Sequence, residues 1–172
     1  MLKVAFDLLF LRRHAMTDFN FPFWQSALVI TLLGIFSGLD PSVGAPNPVV
    51  GMVLGLVMIW PVYLLGAQFM GWWLKRKQYW DGVGNLFNLL VAASLIDIVP
   101  AILVILGIPY LFTLPLWLYS LLVAGNAIKG ATNSGLGYAV GGLILWVVIY
   151  LPVIVILSVV ASLLGLIQMP GV

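Results

Sequence analysis

The sequence predicts an all-α integral membrane protein with five transmembrane helices and a short interfacial helix at its N-terminal end. First, 63% of the 172 residues are hydrophobic and only 7% are charged, whereas a soluble domain is about half apolar and about a quarter charged. Second, apolar runs long enough to cross a bilayer recur along the chain, separated by short breaks rich in Pro, Gly, Asn or charge. Segments of this composition form helices, because lipid cannot satisfy open backbone groups.

The predicted spans follow the apolar runs. A helix needs about 20 residues to cross a hydrocarbon core of about 30 Å, and the first run is the shortest of the five. The last run carries no charge and is expected to be one long helix, tilted or kinked. The spans lie at residues 21–39, 49–74, 86–106, 110–127 and 136–167, within a single transmembrane domain over residues 19–172.

The seven cations give the orientation. With five spans, every Lys and Arg falls on the same side of the membrane, and the opposite loops contain none. Because cytoplasmic loops carry the excess of Lys and Arg, the N-terminus is predicted to be cytoplasmic and the C-terminus extracytoplasmic. The cations are Lys3, Arg12 and Arg13 before the first span, Lys75, Arg76 and Lys77 between the second and third, and Lys129 between the fourth and fifth.

Residues 1–18 are predicted to form an amphipathic helix in the cytoplasmic interface. At 3.6 residues per turn, Lys3, Asp7 and His14 fall on one stripe, surrounded by Leu and Phe. The segment makes a poor signal peptide, because Asp7 interrupts its apolar run. It is either a membrane anchor or an element that binds a partner.

Asp97 is the most informative residue inside the bilayer. It lies eleven residues after Leu86, which puts it about 16 Å deep, near the midplane. An isolated carboxylate there costs at least about 3 kcal/mol, so Asp97 is protonated, heavily hydrogen-bonded or wetted by a cavity. Either it is a proton- or cation-linked site, or it is a neutral acid in a packed polar network. The candidate site comprises Asp97 with Trp60, Tyr63, Ser94, Ser120, Trp146 and Tyr150.

Small residues and prolines mark two further features of the spans. Small residues four positions apart allow helix backbones to approach closely, and the candidate packing residues are Gly51, Gly55, Ala67, Gly71, Gly137 and Gly141. A proline inside a helix removes one hydrogen bond and frees a carbonyl. Such prolines are either ordinary kinks or hinges beside a cavity, and they are Pro61, Pro100, Pro115 and Pro152.

The chain has few residues for catalysis or metal binding. It contains no Cys, no Glu and a single His, His14, which lies outside the predicted spans. These counts exclude thiol chemistry and zinc-protease motifs, and they leave no His to pair with a Ser inside the membrane. Only Asp97 is deep among the acids, so a paired-aspartate site is also excluded. We therefore expect no enzyme, no cofactor and no metal, and a net charge of +2 does not require nucleic acid.

The second half of the chain resembles the Yip domain family, which consists of small five-span membrane proteins named for interacting with Rab-type GTPases. The likeness lies in residues 84–94 (GNLFNLLVAAS) with Pro100, residues 116–125 (LWLYSLLVAG) and the loop 129–135 (KGATNSG) before a Gly/Ala-rich last span. It implies a cytoplasmic N-terminus and a non-enzymatic role in membrane organisation. The chain departs from eukaryotic members in its short N-terminal region, which puts GTPase binding in doubt and favours a bacterial member.

The sequence thus predicts a scaffold in a bacterial inner membrane that partners other membrane proteins or itself. Its partner surface would be the small-residue faces or the loop at residues 75–81. The alternative for that loop is a topology signal that touches anionic lipid headgroups. The alternative function is a carrier or channel for protons, cations or a small lipophilic molecule, with Asp97 as its midplane site.

Overall fold

A computed structural model describes residues 1–167 as a helical bundle, and this part of the chain contains no strand. The predicted all-α class is confirmed. Three short 3-10 helices, at Met16–Phe19, Pro41–Val43 and Ser94–Asp97, join or interrupt the α-helices. The α-helices are α1 (Leu2–Leu9), α2 (Phe23–Gly38), α3 (Pro48–Lys75), α4 (Leu86–Ala93), α5 (Ile98–Ile105), α6 (Tyr110–Ala131) and α7 (Leu136–Leu163).

Within residues 1–167, four helical segments are long and apolar enough to span a membrane: α3, the continuous unit of α4 and α5, α6 and α7. They coincide with the last four predicted spans, which are therefore confirmed as helices of spanning length. The first predicted span forms α2, which has only 16 residues and a length of about 24 Å. This is less than the hydrocarbon core of about 30 Å, so the fifth span stays a prediction.

The helices run between two ends of the bundle. At one end, which we call the basic end, Met16, Lys75 and Ala131 border the same cavity, so the segments that follow α1, α3 and α6 meet there. At the opposite end, the hydroxyl of Tyr110 donates a hydrogen bond to Asp40. Because α2 lies between Met16 and Asp40 in the chain, it connects the two ends as the longer helices do.

Glycines set the closest helix contact, between α2 and α3. A Cβ placed on Gly38 would overlap the carbonyl oxygen of Gly51, and one on Gly55 would overlap that of Gly34. All four glycines are buried. Gly51 and Gly55 thus pack against a second pair of glycines at the same spacing, Gly34 and Gly38 on α2.

The other predicted packing residues divide into two groups. Gly71 is buried, with Trp80 only 3.0 Å from where its Cβ would lie, and Ala67 packs against the main core. Around Gly137 and Gly141, by contrast, no atom of residues 1–167 other than the local backbone of α7 itself lies within 4 Å of an added Cβ. The close approach of α7 to its neighbours uses Gly142 instead, which faces the indole of Trp73.

The four interior prolines affect their helices differently. Pro61, Pro115 and Pro152 lie inside continuous helices. Pro100 lies near the start of α5, just after the 3-10 turns at Ser94–Asp97 that separate α4 from α5. Its ring cannot donate to the carbonyl of Ile96 and would clash with it in a regular α-helix, which explains the tightened backbone there.

The N-terminal helix α1 is shorter than the predicted stripe requires. It ends at Leu9, and Leu11 adopts a left-handed conformation with φ of 57°, so His14 does not lie on the same helix as Asp7. The chain nevertheless folds back at this point. Arg12 forms an ion pair of 2.8 Å with Asp7, and the ring of His14 comes within 3.5 Å of the same carboxylate.

One side of α1 is docked onto α4 and α6. Its residues Ala5 and Leu8 are fully buried in the main core. The hydroxyl of Tyr119 donates to the carbonyl of Leu9, and Asn126 donates to the carbonyl of Leu11 over 2.7 Å. The other side of α1 exposes large apolar side chains, at Leu2 and Phe6, and Phe10 just after the helix is exposed as well.

The outer surface of the bundle is apolar. Leu118 on α6 and Val148, Leu151 and Val155 on α7 are each more than half exposed. Exposure of such a surface to water is unfavourable, whereas lipid tails are as apolar as these side chains. Together with the length of the helices, this surface is that of an integral membrane protein.

Candidate functional site

A cavity of ≈ 310 Å³ lies among α3, α4, α6 and α7 and reaches the turn that carries Asp97. Aliphatic and aromatic side chains form most of its wall. The lining residues are Val62, Tyr63, Gly66 and Met70 of α3, Leu90, Ala93, Ser94 and Asp97 of α4 and the 3-10 turns, Trp117, Ser120, Leu121 and Ala124 of α6, and Leu143, Trp146 and Val147 of α7.

The wall contains one carboxyl group, that of Asp97, and no Lys, Arg or His among the described residues. The Oδ1 of Asp97 is buried and has no hydrogen-bond partner within residues 1–167. The hydroxyls of the two nearby serines lie within hydrogen-bond distance of backbone carbonyls: that of Ser120 is 3.0 Å from the carbonyl of Trp117, and that of Ser94 is 2.9 Å from the carbonyl of Val91. The Ser120 hydroxyl also lies close to the carboxyl group of Asp97.

Aromatic rings face the cavity from three helices: Tyr63 on α3, Trp117 on α6 and Trp146 on α7. The indole of Trp146 reaches this position because Gly66 lacks a side chain: a Cβ on Gly66 would lie 2.9 Å from its Nε1. Trp146 also packs against Phe69, with the ring centroids 5.5 Å apart. The aromatic wall is therefore held by packing outside the cavity.

No known protein family, curated protein or solved structure matches the chain. The chemistry of the cavity follows from its own side chains. An apolar chamber with one unsatisfied carboxyl oxygen suits binding of a small molecule. Within residues 1–167, no group of three or more His, Cys, Asp or Glu could hold a metal ion.

The cavity brings together five of the seven predicted site residues, Asp97, Tyr63, Ser94, Ser120 and Trp146. The other two lie elsewhere. The ring of Trp60 contacts Phe23 of α2, with centroids 6.3 Å apart, and the hydroxyl of Tyr150 donates to the carbonyl of Met58 over 3.2 Å.

The position of the cavity explains this division. Trp60 precedes Tyr63 by about one turn and Tyr150 follows Trp146 by about one turn, and both shifts lead toward the end of the bundle opposite the basic end. The cavity extends the other way: along α4 it reaches Leu90, seven residues or about 10 Å from Asp97. Asp97 thus lies at the deeper end of a chamber that extends toward the basic end.

Sequence reasoning missed Gly66, Trp117 and most of the apolar wall. The signal that could have found them is helical spacing from residues already selected: Gly66 lies three residues after Tyr63, and Trp117 three before Ser120. Residues three or four positions apart share a helix face, so the residues at these spacings from a predicted lining residue are further candidates for the cavity wall.

The basic residues predicted to face lipid, Lys75, Arg76, Lys77 and Lys129, lie at or next to the basic end. Lys75 and Arg76 each rest on an indole: the Nζ of Lys75 is 5.1 Å from the centroid of Trp80, and the guanidinium of Arg76 is 4.8 Å from that of Trp72. Such contacts restrict where the two charges can lie.

Proposed function

We propose that the protein is a non-enzymatic carrier that binds a small lipophilic molecule bearing an amine or ammonium group in the middle of the membrane. The observation that carries the proposal is the Oδ1 of Asp97, which is buried at the cavity wall without a partner. A buried polar atom without a hydrogen bond is costly, and a ligand that donates to it removes that cost.

The rest of the wall defines the size and chemistry of this ligand. The volume of ≈ 310 Å³ is at the lower end of the range for ligand sites, about 300–1,000 Å³, and suits a molecule with one or two rings. The faces of Tyr63, Trp117 and Trp146 favour a cation over a neutral group. The described wall contains no Lys or Arg that would repel it.

Thermal unfolding of the purified protein in detergent, with three probes of one shape, tests the proposal. The probes are 2-phenylethylamine, 2-phenylethanol and propylbenzene. A ligand that binds only the folded state stabilises it by about 2.7 kcal/mol at 100 times Kd, so the rise in Tm reports affinity. We expect the amine, which can pair with Asp97, to raise the Tm most, and the hydrocarbon to raise it least.

The matched variants are Asp97→Asn and Asp81→Asn. Asparagine keeps the shape of Asp97 but removes its charge, so the advantage of the amine over the alcohol disappears. Asp81 is exposed and accepts a hydrogen bond from the amide of Val83 over 2.8 Å, which asparagine can also accept. Equal stabilisation by all three probes, or an amine effect that survives in Asp97→Asn, would contradict the proposal.

A scaffold that associates with itself is the second candidate function, and the open faces of Gly137 and Gly141 favour it. Glycines spaced for close packing, with no neighbour among residues 1–167, can accept a helix of a second copy. Because the chain has no cysteine, Gly141→Cys can be crosslinked by oxidation in the membrane. A dimer from Gly141→Cys but not from Leu118→Cys supports the scaffold, and equal yields contradict it.

The proposed setting is a bacterial inner membrane, with five spans and the N-terminus in the cytoplasm. The placement of α2 between the two ends of the bundle supports the fifth span, and a short span is accommodated by local thinning of the bilayer. The gathering of Lys and Arg at one end supports the orientation. The resemblance of residues 84–135 to the Yip domain family agrees with both.

A further inference from the structure

A second concave surface lies on the outside of the bundle, where the C-terminal half of α3 meets the start of α4. This groove has a volume of ≈ 630 Å³. Along α3 it is bordered by one face of the helix, from Leu64 at its deep end to Lys75 at the basic end. Trp80 and the residues that begin α4, among them Asn85 and Phe87, form its other wall.

The groove has the length of one membrane leaflet. Leu64 and Lys75 are eleven residues apart, which corresponds to about 16 Å along a helix. Half of a hydrocarbon core of about 30 Å is about 15 Å. With Lys75 at the level of the headgroups, Leu64 therefore lies near the ends of the acyl chains of the same leaflet.

The mouth of the groove is positively charged. Lys75 borders the groove directly, and Arg76 lies against Trp72, another lining residue. Neither cation takes part in an ion pair with a carboxylate of residues 1–167. Their charges are held by the indoles of Trp80 and Trp72 but are not neutralised by them.

The first turn of α4 adds hydrogen-bond donors beside these cations. The amide of Leu89 donates to the carbonyl of Asn85, and the amide of Asn88 to the Asn85 side chain. The amides of Leu86 and Phe87 precede these donors and have no carbonyl one turn earlier in the helix. From its mouth inward, the groove thus presents two cations and the start of a helix, followed by an apolar channel. A phospholipid has the same order, with its charged phosphate group followed by its acyl chain.

We propose that this groove is a specific binding site for an anionic phospholipid of the leaflet at the basic end. The phosphate group is bound by Lys75 and Arg76, and one acyl chain lies along α3 past Ala67 to Leu64. The exposed amide of Gln68 lies part-way down the groove and donates to an ester carbonyl of the lipid. A zwitterionic lipid fits the apolar channel but gains less from the cations.

The test measures the preference for anionic lipid directly. The full chain is reconstituted in nanodiscs of phosphatidylcholine with 20% phosphatidylglycerol, then extracted in detergent, and the co-purified lipids are quantified by mass spectrometry. We expect the retained lipid to be enriched in phosphatidylglycerol. The measured quantity is the ratio of phosphatidylglycerol to phosphatidylcholine in the retained lipid, divided by the same ratio in the nanodisc. Since one cation near a surface contributes a factor of about five, Lys75→Gln with Arg76→Gln reduces this quantity by roughly 25-fold.

The matched control removes the same charge elsewhere at the basic end. Lys77→Gln with Lys129→Gln alters two cations that do not border the groove, so the enrichment changes by less than twofold. Equal loss in both double variants would mean that the lipid responds only to overall charge, and it would overturn the proposal. Lack of enrichment in the wild type would overturn it as well.

A soluble probe separates a lipid site from a phosphate site. Dihexanoyl phosphatidylglycerol, which has short acyl chains, is expected to displace the retained lipid, whereas glycerol 3-phosphate at the same concentration is not. Displacement by glycerol 3-phosphate alone would assign the mouth of the groove to free phosphate and contradict the lipid proposal. Leu64→Gln, which makes the channel polar without changing the mouth, is expected to weaken the retention of both phosphatidylglycerol and phosphatidylcholine.

Discussion

The hydroxyl of Ser26 donates a hydrogen bond of 2.7 Å to the side-chain Oδ1 of Asn88, although the two residues lie 62 positions apart. The amide of the same Asn88 side chain donates to the carbonyls of Phe19 and Phe21, over 2.9 Å in each case. Both Ser26 and Asn88 are fully buried. Asn88 thus ties the entry to α2 to the first turn of α4, with its side-chain oxygen and both amide protons engaged.

Asn88→Ala is expected to destabilise the protein by about 3 kcal/mol, because it leaves the carbonyls of Phe19 and Phe21 without their donors and the buried hydroxyl of Ser26 without its acceptor. Thermal or denaturant unfolding in detergent measures the loss. The control is Asn133→Ala, at an exposed position, which should change stability by less than about 0.5 kcal/mol. Similar losses in the two variants would show that Asn88 is not a structural link.

Gly55→Ala is expected to cost about 1–3 kcal/mol, since the added methyl group would overlap the carbonyl of Gly34 and force α2 away from α3. Gly141→Ala makes the same substitution on α7, where nothing in residues 1–167 lies within 4 Å. We expect it to leave the unfolding temperature of the monomer unchanged. A loss in Gly141→Ala as large as that in Gly55→Ala would contradict this arrangement of the helices.

Tyr119→Phe is expected to loosen α1 without unfolding the bundle. The variant removes the hydrogen bond to the carbonyl of Leu9, which contributes about 1 kcal/mol, so the α1 amides should exchange with deuterium about fivefold faster. Tyr110→Phe removes a hydroxyl at the opposite end and should leave exchange in α1 unchanged. Exchange that rises throughout the protein would indicate global destabilisation instead.

The five-span topology predicts that Ser42 and Asn133 lie on opposite sides of the membrane. Both positions are exposed, and the natural chain has no cysteine, so Ser42→Cys and Asn133→Cys each introduce a single thiol. In intact bacterial cells, a membrane-impermeant maleimide should label Ser42→Cys only, and Asn133→Cys should react after the cells are opened. Labelling of both before opening would exclude the proposed topology.

Composition and charge predicted the helices well, because the lengths of apolar runs follow from the thickness of the bilayer. The extent of the cavity along the helices, and the rotation of each helix about its axis, were harder to predict. Trp60 and Tyr150 were selected for their depth, but the cavity ends before both of them. Gly34 and Gly38 have the same spacing as Gly51 and Gly55, and only the packed structure shows that the two pairs face each other.

Irregularities of the backbone were also not predicted from the sequence. Pro100 predicted a kink, but a proline alone does not show that the backbone tightens into 3-10 turns over Ser94–Asp97, the segment that carries Asp97. The stripe through His14 assumed a continuous helix, and the left-handed Leu11 ends it. A helical wheel assumes a continuous helix and therefore cannot show where the helix ends.

The docking of α1 has a consequence for the order of events during synthesis. Leu9 and Leu11 bond to Tyr119 and Asn126, which lie 110 and 115 residues later in the chain. At about 5–20 residues per second, a ribosome needs roughly 5–20 s to make the rest of that surface. During this interval both apolar sides of α1 lack a protein partner, and they can be buried at the membrane surface instead. Helix α1 is therefore made well before the surface on which it docks.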